Sequence, residues 1–150
     1  MKAYQRLYLT TIGKFLPSDF FAQRHIVSVK AICFMGKKLV LVKNERGEWD
    51  LPGGKLQAGE DPAVALHREL KEELSINIQV ERLVDVLQVR VMDLMNVMVV
   101  LYQCRTACCQ DDLLMSHEHF DIGVFEVEEA LLGNLVPEYR PYLEALMVPA

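Results

Sequence analysis

No stretch of this chain comes near the ~18 consecutive apolar residues that a membrane-spanning helix needs. Its most continuous apolar run, Val97-Met98-Val99-Val100-Leu101-Tyr102, is only strand-sized. Near the N-terminus, Lys14 interrupts the apolar residues before a signal-peptide core can form. Basic charge is short as well: 16 Lys and Arg stand against 21 Asp and Glu, a net charge of −5. That balance excludes broad nucleic-acid binding, which needs a basic footprint. Repeats and low-complexity linkers are absent. These absences predict a cytoplasmic protein with neither a membrane nor a nucleic acid as partner. Its four cysteines (Cys33, Cys104, Cys108, Cys109) are then expected as reduced thiols.

What is present is an ordinary globular composition, 51% hydrophobic and 25% charged over 150 residues, enough for one domain spanning 1–150 with a substantial core. Residues 1–25 read as an N-terminal arm without clean periodicity. Leu7, Leu9, Phe15, Phe20 and Phe21 make it more apolar than a solvated tail should be, which predicts packing on the domain or on a second subunit, as a homodimer. Strand-like texture follows at 26–34 and 38–42, joined through Gly36 as a hairpin, with a turn cluster at Asn44-Glu45-Arg46-Gly47. Asp61-Pro62 is a good helix start, an N-cap acceptor followed by proline at the first helical position. Ala63, Leu66, Leu70 and Leu74 continue at helical spacing and should face the core. Strands are expected at about 76–83, 85–93, 96–106 and 123–127, and short helices near 128–132 and 138–147. Strands mixed with helices in this order predict an α+β domain in layers.

The chemistry concentrates in that central helix. Glu69, Glu72 and Glu73 stand at i, i+3 and i+4 and share one face, expected on a solvent-facing flank beside the leucine stripe. Like charges this close repel, and a hard divalent cation such as Mg²⁺ or Mn²⁺ would relieve the repulsion through the carboxylate oxygens it prefers. The alternative is a solvated acidic helix face. The spacing around these residues argues for the cation: Gly54, then Glu60 six residues on, then Arg68-Glu69-Leu70-Lys71-Glu72-Glu73-Leu74-Ser75-Ile76.

This pattern resembles the Nudix box, G-x5-E-x7-R-E-U-x-E-E-x-G-U with U aliphatic, and matches it at eight of nine defined positions over 23 residues. The preceding Leu51-Pro52-Gly53 is also typical of that family. The departure is Ser75, where the family has a glycine suited to a left-handed helix cap. Asn77 offers a place for a slightly shifted cap. The resemblance implies an α/β/α sandwich around a mixed sheet, and a hydrolase that cuts a diphosphate linkage. The substrate would be a nucleoside diphosphate linked to another moiety, of ADP-ribose or nucleotide-sugar type, or a nucleoside triphosphate. It implies Glu69, Glu72 and Glu73 as metal ligands, with the Gly54 carbonyl completing the sphere. Glu60 would act as a support or a ligand through water, and Arg68 would orient a neighbouring carboxylate. Glu118, in the polar Ser116-His117-Glu118-His119 stretch ahead of the late strand, falls where many members carry a further catalytic or metal-binding glutamate. Its alternative is an exposed acidic loop residue.

Other features are weaker. Cys104, Cys108 and Cys109 with His117 and His119 only half supply a zinc pattern. Trp49, Tyr102 and Phe120 could stack on a base, but aromatics more often fill the core. A non-catalytic nucleotide sensor is the rival function. Sensors tend to lose box glutamates, and this chain keeps all of them. An isomerase on the same fold would need a cysteine and glutamate arrangement that the sequence does not display.

Overall fold

The computed structural model describes residues 25–114 and 121–148. The expected arm up to residue 24 and the stretch holding His117, Glu118, His119 and Phe120 therefore lie outside the described residues. Along the chain run β1 (Ile26–Met35), β2 (Lys38–Lys43), β3 (Trp49–Asp50), α1 (Pro62–Leu74), β4 (Gln79–Val91), β5 (Met95–Thr106), β6 (Asp121–Phe125), α2 (Val127–Leu132) and α3 (Arg140–Ala145). Single 3-10 turns occur at Gln110–Asp112 and Pro137–Tyr139.

Several expected boundaries move, each for a local reason. The strands expected at 76–83 and 85–93 are one strand, β4, with register shifts between Val80 and Arg82 and between Leu83 and Asp85. An extra residue in a ladder breaks the alternation without breaking the strand. Leu74-Ser75 ends the helix, and Ile76 packs in the core before β4 begins. The run at 123–127 starts at Asp121 and stops at Phe125, because Glu126 and Glu129 close a capping box that opens α2 at Val127. The final helix is a 3-10 turn from Pro137 that passes into α3.

The strands make one mixed sheet in the order β3-β2-β1-β5-β4, with β6 on β2. β1 and β5 run parallel from Ile26 opposite Val97 to Met35 opposite Thr106, and the other pairings are antiparallel. This is the α+β sandwich implied above. On one face, Ala65, Leu66, Leu70 and Leu74 of α1 pack with Ile76 onto Val29, Ala31 and Cys33 of β1 and Val40 and Val42 of β2. On the other, Ala130 of α2 and Leu143 of α3 cover Ile32, Leu39, Leu41 and Leu101. Central strands are thus buried on both faces, which is why their apolar residues run on almost without interruption. Cys33 and Cys104 face each other in the β1–β5 register, buried and unoxidised. The hydrogen bond between them, then burial, pushes the Cys104 thiol far above its ordinary pKa.

The detail that builds a site is a gap in the hairpin. β2 pairs only with Cys33–Met35 of β1, so the first half of β1 has a free edge, and the glycine loop lies along it. Ala31 N–H donates to the Pro52 carbonyl (2.9 Å), Val29 N–H to the Gly54 carbonyl (2.8 Å), and Leu56 N–H to the Val27 carbonyl (2.9 Å). Gly53 sits at φ +132°, and a Cβ there would collide with the Val29 carbonyl. Only glycine allows the loop to lie this close to the strand.

Candidate active site

Helix α1 starts where the sequence predicts. Asp61 Oδ1 accepts from Ala63 N–H (2.9 Å) and Val64 N–H (3.3 Å), and Pro62 takes the first helical position. It ends at Ser75 in the left-handed conformation (φ 59°, ψ 23°), with Ser75 N–H donating to the Lys71 carbonyl at 3.1 Å. The cap stays at the family's glycine position and does not shift to Asn77. Holding a serine there costs about 1 kcal/mol.

Four carboxylates meet around this helix. Arg68 grips Glu60 with two parallel bonds, Nε to Oε1 (2.8 Å) and Nη2 to Oε2 (2.9 Å). Its Nη1 donates to Glu69 Oε1 (2.8 Å) and to Glu72 Oε2 (3.2 Å), and Nη2 also reaches the Lys55 carbonyl (3.2 Å). Glu60 further accepts from Gln57 N–H, which closes the glycine loop onto the same cluster. Glu73 lies on the inner side, where its Oε2 accepts from Gly53 N–H at 2.9 Å. A Cβ on Gly54 would overlap the Glu69 carboxylate, so that glycine lets the loop and the helix touch.

The expected solvent-facing flank is corrected here. Glu72 is open, its side chain 60% exposed, while that of Glu69 is 12% exposed and Glu73 as a residue only 4%. Helical spacing establishes that the three share a face. The loop that covers two of them arrives from Gly53–Gly54, and nothing within the helix announces it.

Burial, opposed in part by Arg68 and reinforced by Glu73 and Glu72, raises the Glu69 carboxyl above the ordinary range. Glu60 moves the other way, lowered by the Arg68 hydrogen bond and by Gln57 N–H. Arg68 itself is held still more firmly protonated by Glu60 and Glu69. Four carboxylates against one guanidinium leave a surplus of negative charge in a partly dry site. Hard oxygen donors in surplus are the donor set that Mg²⁺ or Mn²⁺ prefers, so the residues fit such a cation. Glu69, Glu72 and Glu73 would hold it. The Gly54 carbonyl, beside Glu69, accepts from Val29 N–H and keeps a second lone pair. Among the described residues no three His, Cys, Asp or Glu side chains form a ready-made cage. Arg68 and Gly53 N–H hold the carboxylates instead.

Beyond the loop, on the sheet face opposite α1, lies a cavity of about 480 Å³. Ile26, Val89, Val97 and Val99 give it apolar walls, and Ser28 and Lys55 connect it to the glycine loop. Lys30, Asp50 and Tyr139, with Asn44, Glu45 and Arg46 of the turn after β2, supply its other polar groups. Burial, then Asp50 and Glu138, pushes the Tyr139 phenol up, so it stays protonated. Sequence reasoning passed over these residues. A lysine in the middle of the apolar Val27–Phe34 run was the available signal. Two of the aromatics considered for stacking are elsewhere: Trp49 packs edge-on against Phe125 (centroids 4.8 Å apart) under Lys43, and Tyr102 packs on the α1 side; Phe120 lies outside the described residues.

Comparison with known proteins agrees with this geometry. The NUDIX domain profile matches residues 24–146. A MutT-like protein of Streptomyces ambofaciens is 36% identical over 64 residues, 41% of this chain and 42% of that protein. The chain spans less than half the length of the curated relatives it matches. In structure it is similar to the ORF135 protein of E. coli, with TM-score 0.66 and 30% identity over 85% of this chain and 91% of that one. It also resembles the MutT protein of Methanosarcina mazei Go1, with TM-score 0.71 and 21% identity over 84% and 95% of the two chains. A box carried on α1, the loop that closes on it, the shared sandwich and a profile covering most of the chain lead to one conclusion: this chain belongs to the Nudix family.

Proposed function

We propose that the chain is a Mg²⁺- or Mn²⁺-dependent pyrophosphohydrolase. Its substrate is a nucleoside diphosphate linked to another moiety, or a nucleoside triphosphate. The observation that carries this reading is the convergence of Glu60, Glu69 and Glu72 on Arg68, with Glu73 against the Gly53–Gly54 loop. Bound among these carboxylates, divalent cations would neutralise the diphosphate oxygens and lower the pKa of a coordinated water. The protein's part is placement. Arg68 fixes Glu60 and Glu69, and charge-assisted bonds of this kind set direction as well as strength. Glu69, raised by burial, is a ligand or the acceptor of the water's proton. As the water oxygen bonds to phosphorus, the bridging P–O bond breaks and two phosphate products leave. Glu118, outside the described residues, is read as a further ligand or base. In the cell we read the chain as a cytoplasmic homodimer assembled partly through residues 1–25, with no nucleic-acid or membrane partner. The sensor alternative is disfavoured by the complete set of box carboxylates.

The test is a panel of ADP-ribose, NADH, dinucleoside polyphosphates, nucleotide sugars and nucleoside triphosphates, with Mg²⁺ and after stripping with EDTA. Glu72→Gln keeps shape and removes charge, so turnover should drop by orders of magnitude with an unchanged circular dichroism spectrum. Normal hydrolysis by that variant, or by stripped enzyme, sinks the metal assignment. Glu118→Gln at saturating substrate should lose about 10²-fold, the usual size of a general-base contribution. A turnover within a few-fold of wild type leaves Glu69 as the base.

A further inference from the structure

A lysine stands in the middle of the apolar strand β1, between Val29 and Ala31, which are both fully buried. Its ammonium reaches across to the connection between β3 and the glycine loop. Lys30 Nζ donates to the Leu51 carbonyl (2.8 Å) and to Asp50 Oδ2 (3.2 Å). The two side chains are 14% and 19% exposed. A lysine buried this far gives up hydration, and a buried ion pair is weak as a stabilising device. Asp50 Oδ1 accepts no hydrogen bond among the described residues, and a buried acceptor left unmade costs free energy. Stability alone would favour an apolar side chain at position 30. What the ammonium adds is direction, a donor held by β1 and aimed at one carbonyl of the loop.

Two residues beyond the Leu51 carbonyl, Gly53 N–H donates to Glu73 Oε2 (2.9 Å). The next residue, Gly54, lies so close to Glu69 that a Cβ on it would overlap the carboxylate. Backbone bonds from Ala31 N–H to the Pro52 carbonyl and from Val29 N–H to the Gly54 carbonyl hold the loop along β1. They act after the chain has turned. Lys30 acts one residue earlier, at Leu51, just past the end of β3 where it pairs with β2, and so sets how the loop enters. We propose that Lys30 is a positioning residue for the carboxylate site: through the Leu51 carbonyl and Asp50 it places Gly53 N–H on Glu73 and Gly54 against Glu69. It acts through the loop and touches neither the cation nor the reacting atoms. This inference rests on the metal-dependent hydrolase proposed above, in which Glu69 and Glu73 hold the cation.

The experiment compares wild type with Lys30→Met, which keeps an unbranched stem and removes the donors. Leu143→Ala, which truncates a fully buried side chain of α3, is the control for lost stability without a change at the loop. In metal-free protein, NMR reads hydrogen exchange of the Gly53 amide against that of the Leu70 amide within α1. Calorimetry then reads Mn²⁺ binding to the same three proteins. In Lys30→Met the Gly53 amide should exchange about tenfold or more faster relative to Leu70, and Mn²⁺ affinity should fall about tenfold or more, the usual size for a group that orients metal ligands. Leu143→Ala should change neither quantity. An unchanged Gly53 ratio, an unchanged Mn²⁺ affinity, or equal effects in the control overturns the proposal. Should Lys30→Met fail to fold because Asp50 is left as an unpaired buried charge, the double variant Lys30→Met/Asp50→Asn is read in the same way. Wild type that binds no Mn²⁺, with the expected change at Gly53, would sink the metal-dependent reading alone. Mn²⁺ binding and hydrolysis by wild type, with Gly53 indifferent to position 30, would sink this inference alone.

Discussion

On one face of the sheet, Leu66, Leu70 and Leu74 interlock with Val29, Ala31 and Val40 and leave them fully buried. On the other, among the described residues, α2 and α3 are six residues each and cover only part of the strands, with a cavity of about 480 Å³ beside Val97 and Val99. Both faces are built from the same strands, and β1 serves each with alternate residues. The full face carries α1, and through it the carboxylates of the candidate site. The partly filled face leaves room for a ligand. On the function proposed above, support for the chemistry and space for recognition would come from opposite sides of one sheet. The glycine loop at the free edge of β1 connects them.

The comparison can be broken most severely from the full side. Leu70→Ala removes a buried side chain one position from Glu69, and such truncations cost 2–5 kcal/mol, by roughly the usual range. Urea unfolding should show a loss of that order, and activity should fall with the population of folded helix. An indifferent response would mean that α1 is not the support described.

A matched pair of insertions sharpens the contrast. Ala31→Leu pushes a larger side chain into the packed α1 face, where overpacking costs roughly 1–3 kcal/mol. Ser28→Leu adds comparable bulk on the cavity side of the same strand, where stability should stay within about 0.5 kcal/mol. The second variant should instead raise KM for the best substrate while kcat changes less. Equal destabilisation by the two would erase the distinction between the faces.

The smallest effect tests the electrostatics of Glu69. Its folded-state pKa is raised, so the folded protein holds that proton more tightly than the unfolded chain does. Ionised Glu69 therefore costs stability above its raised pKa, and the cost disappears as pH falls through that value toward the ordinary glutamate range. In EDTA at pH 7, Glu69→Gln should melt at a higher temperature than wild type, with the difference fading at acid pH. Mg²⁺ should raise the melting temperature of wild type more than that of the variant. A variant less stable than wild type in EDTA would show that the Arg68 contact outweighs burial.

Much of this protein was legible in its residues because the signals are local. Asp61-Pro62 starts α1 through capping geometry, Leu66, Leu70 and Leu74 mark its buried side by period, and the spacing from Gly54 to Ile76 picks out the carboxylates and their arginine. Such patterns are written within one or two turns of chain and need no partner to be read. What escaped depends on segments distant in sequence. Burial of Glu73 is decided by a loop twenty residues earlier, laid along β1 because β2 pairs with only the end of that strand. The two bulges that keep β4 continuous depend on its register with β5. Asp50 and Lys30, twenty residues apart, became a pair only when β3 and β1 were placed in one sheet. Periodicity and capping report which residues share a face. What covers that face, and where space is left over, is decided only when the layers close.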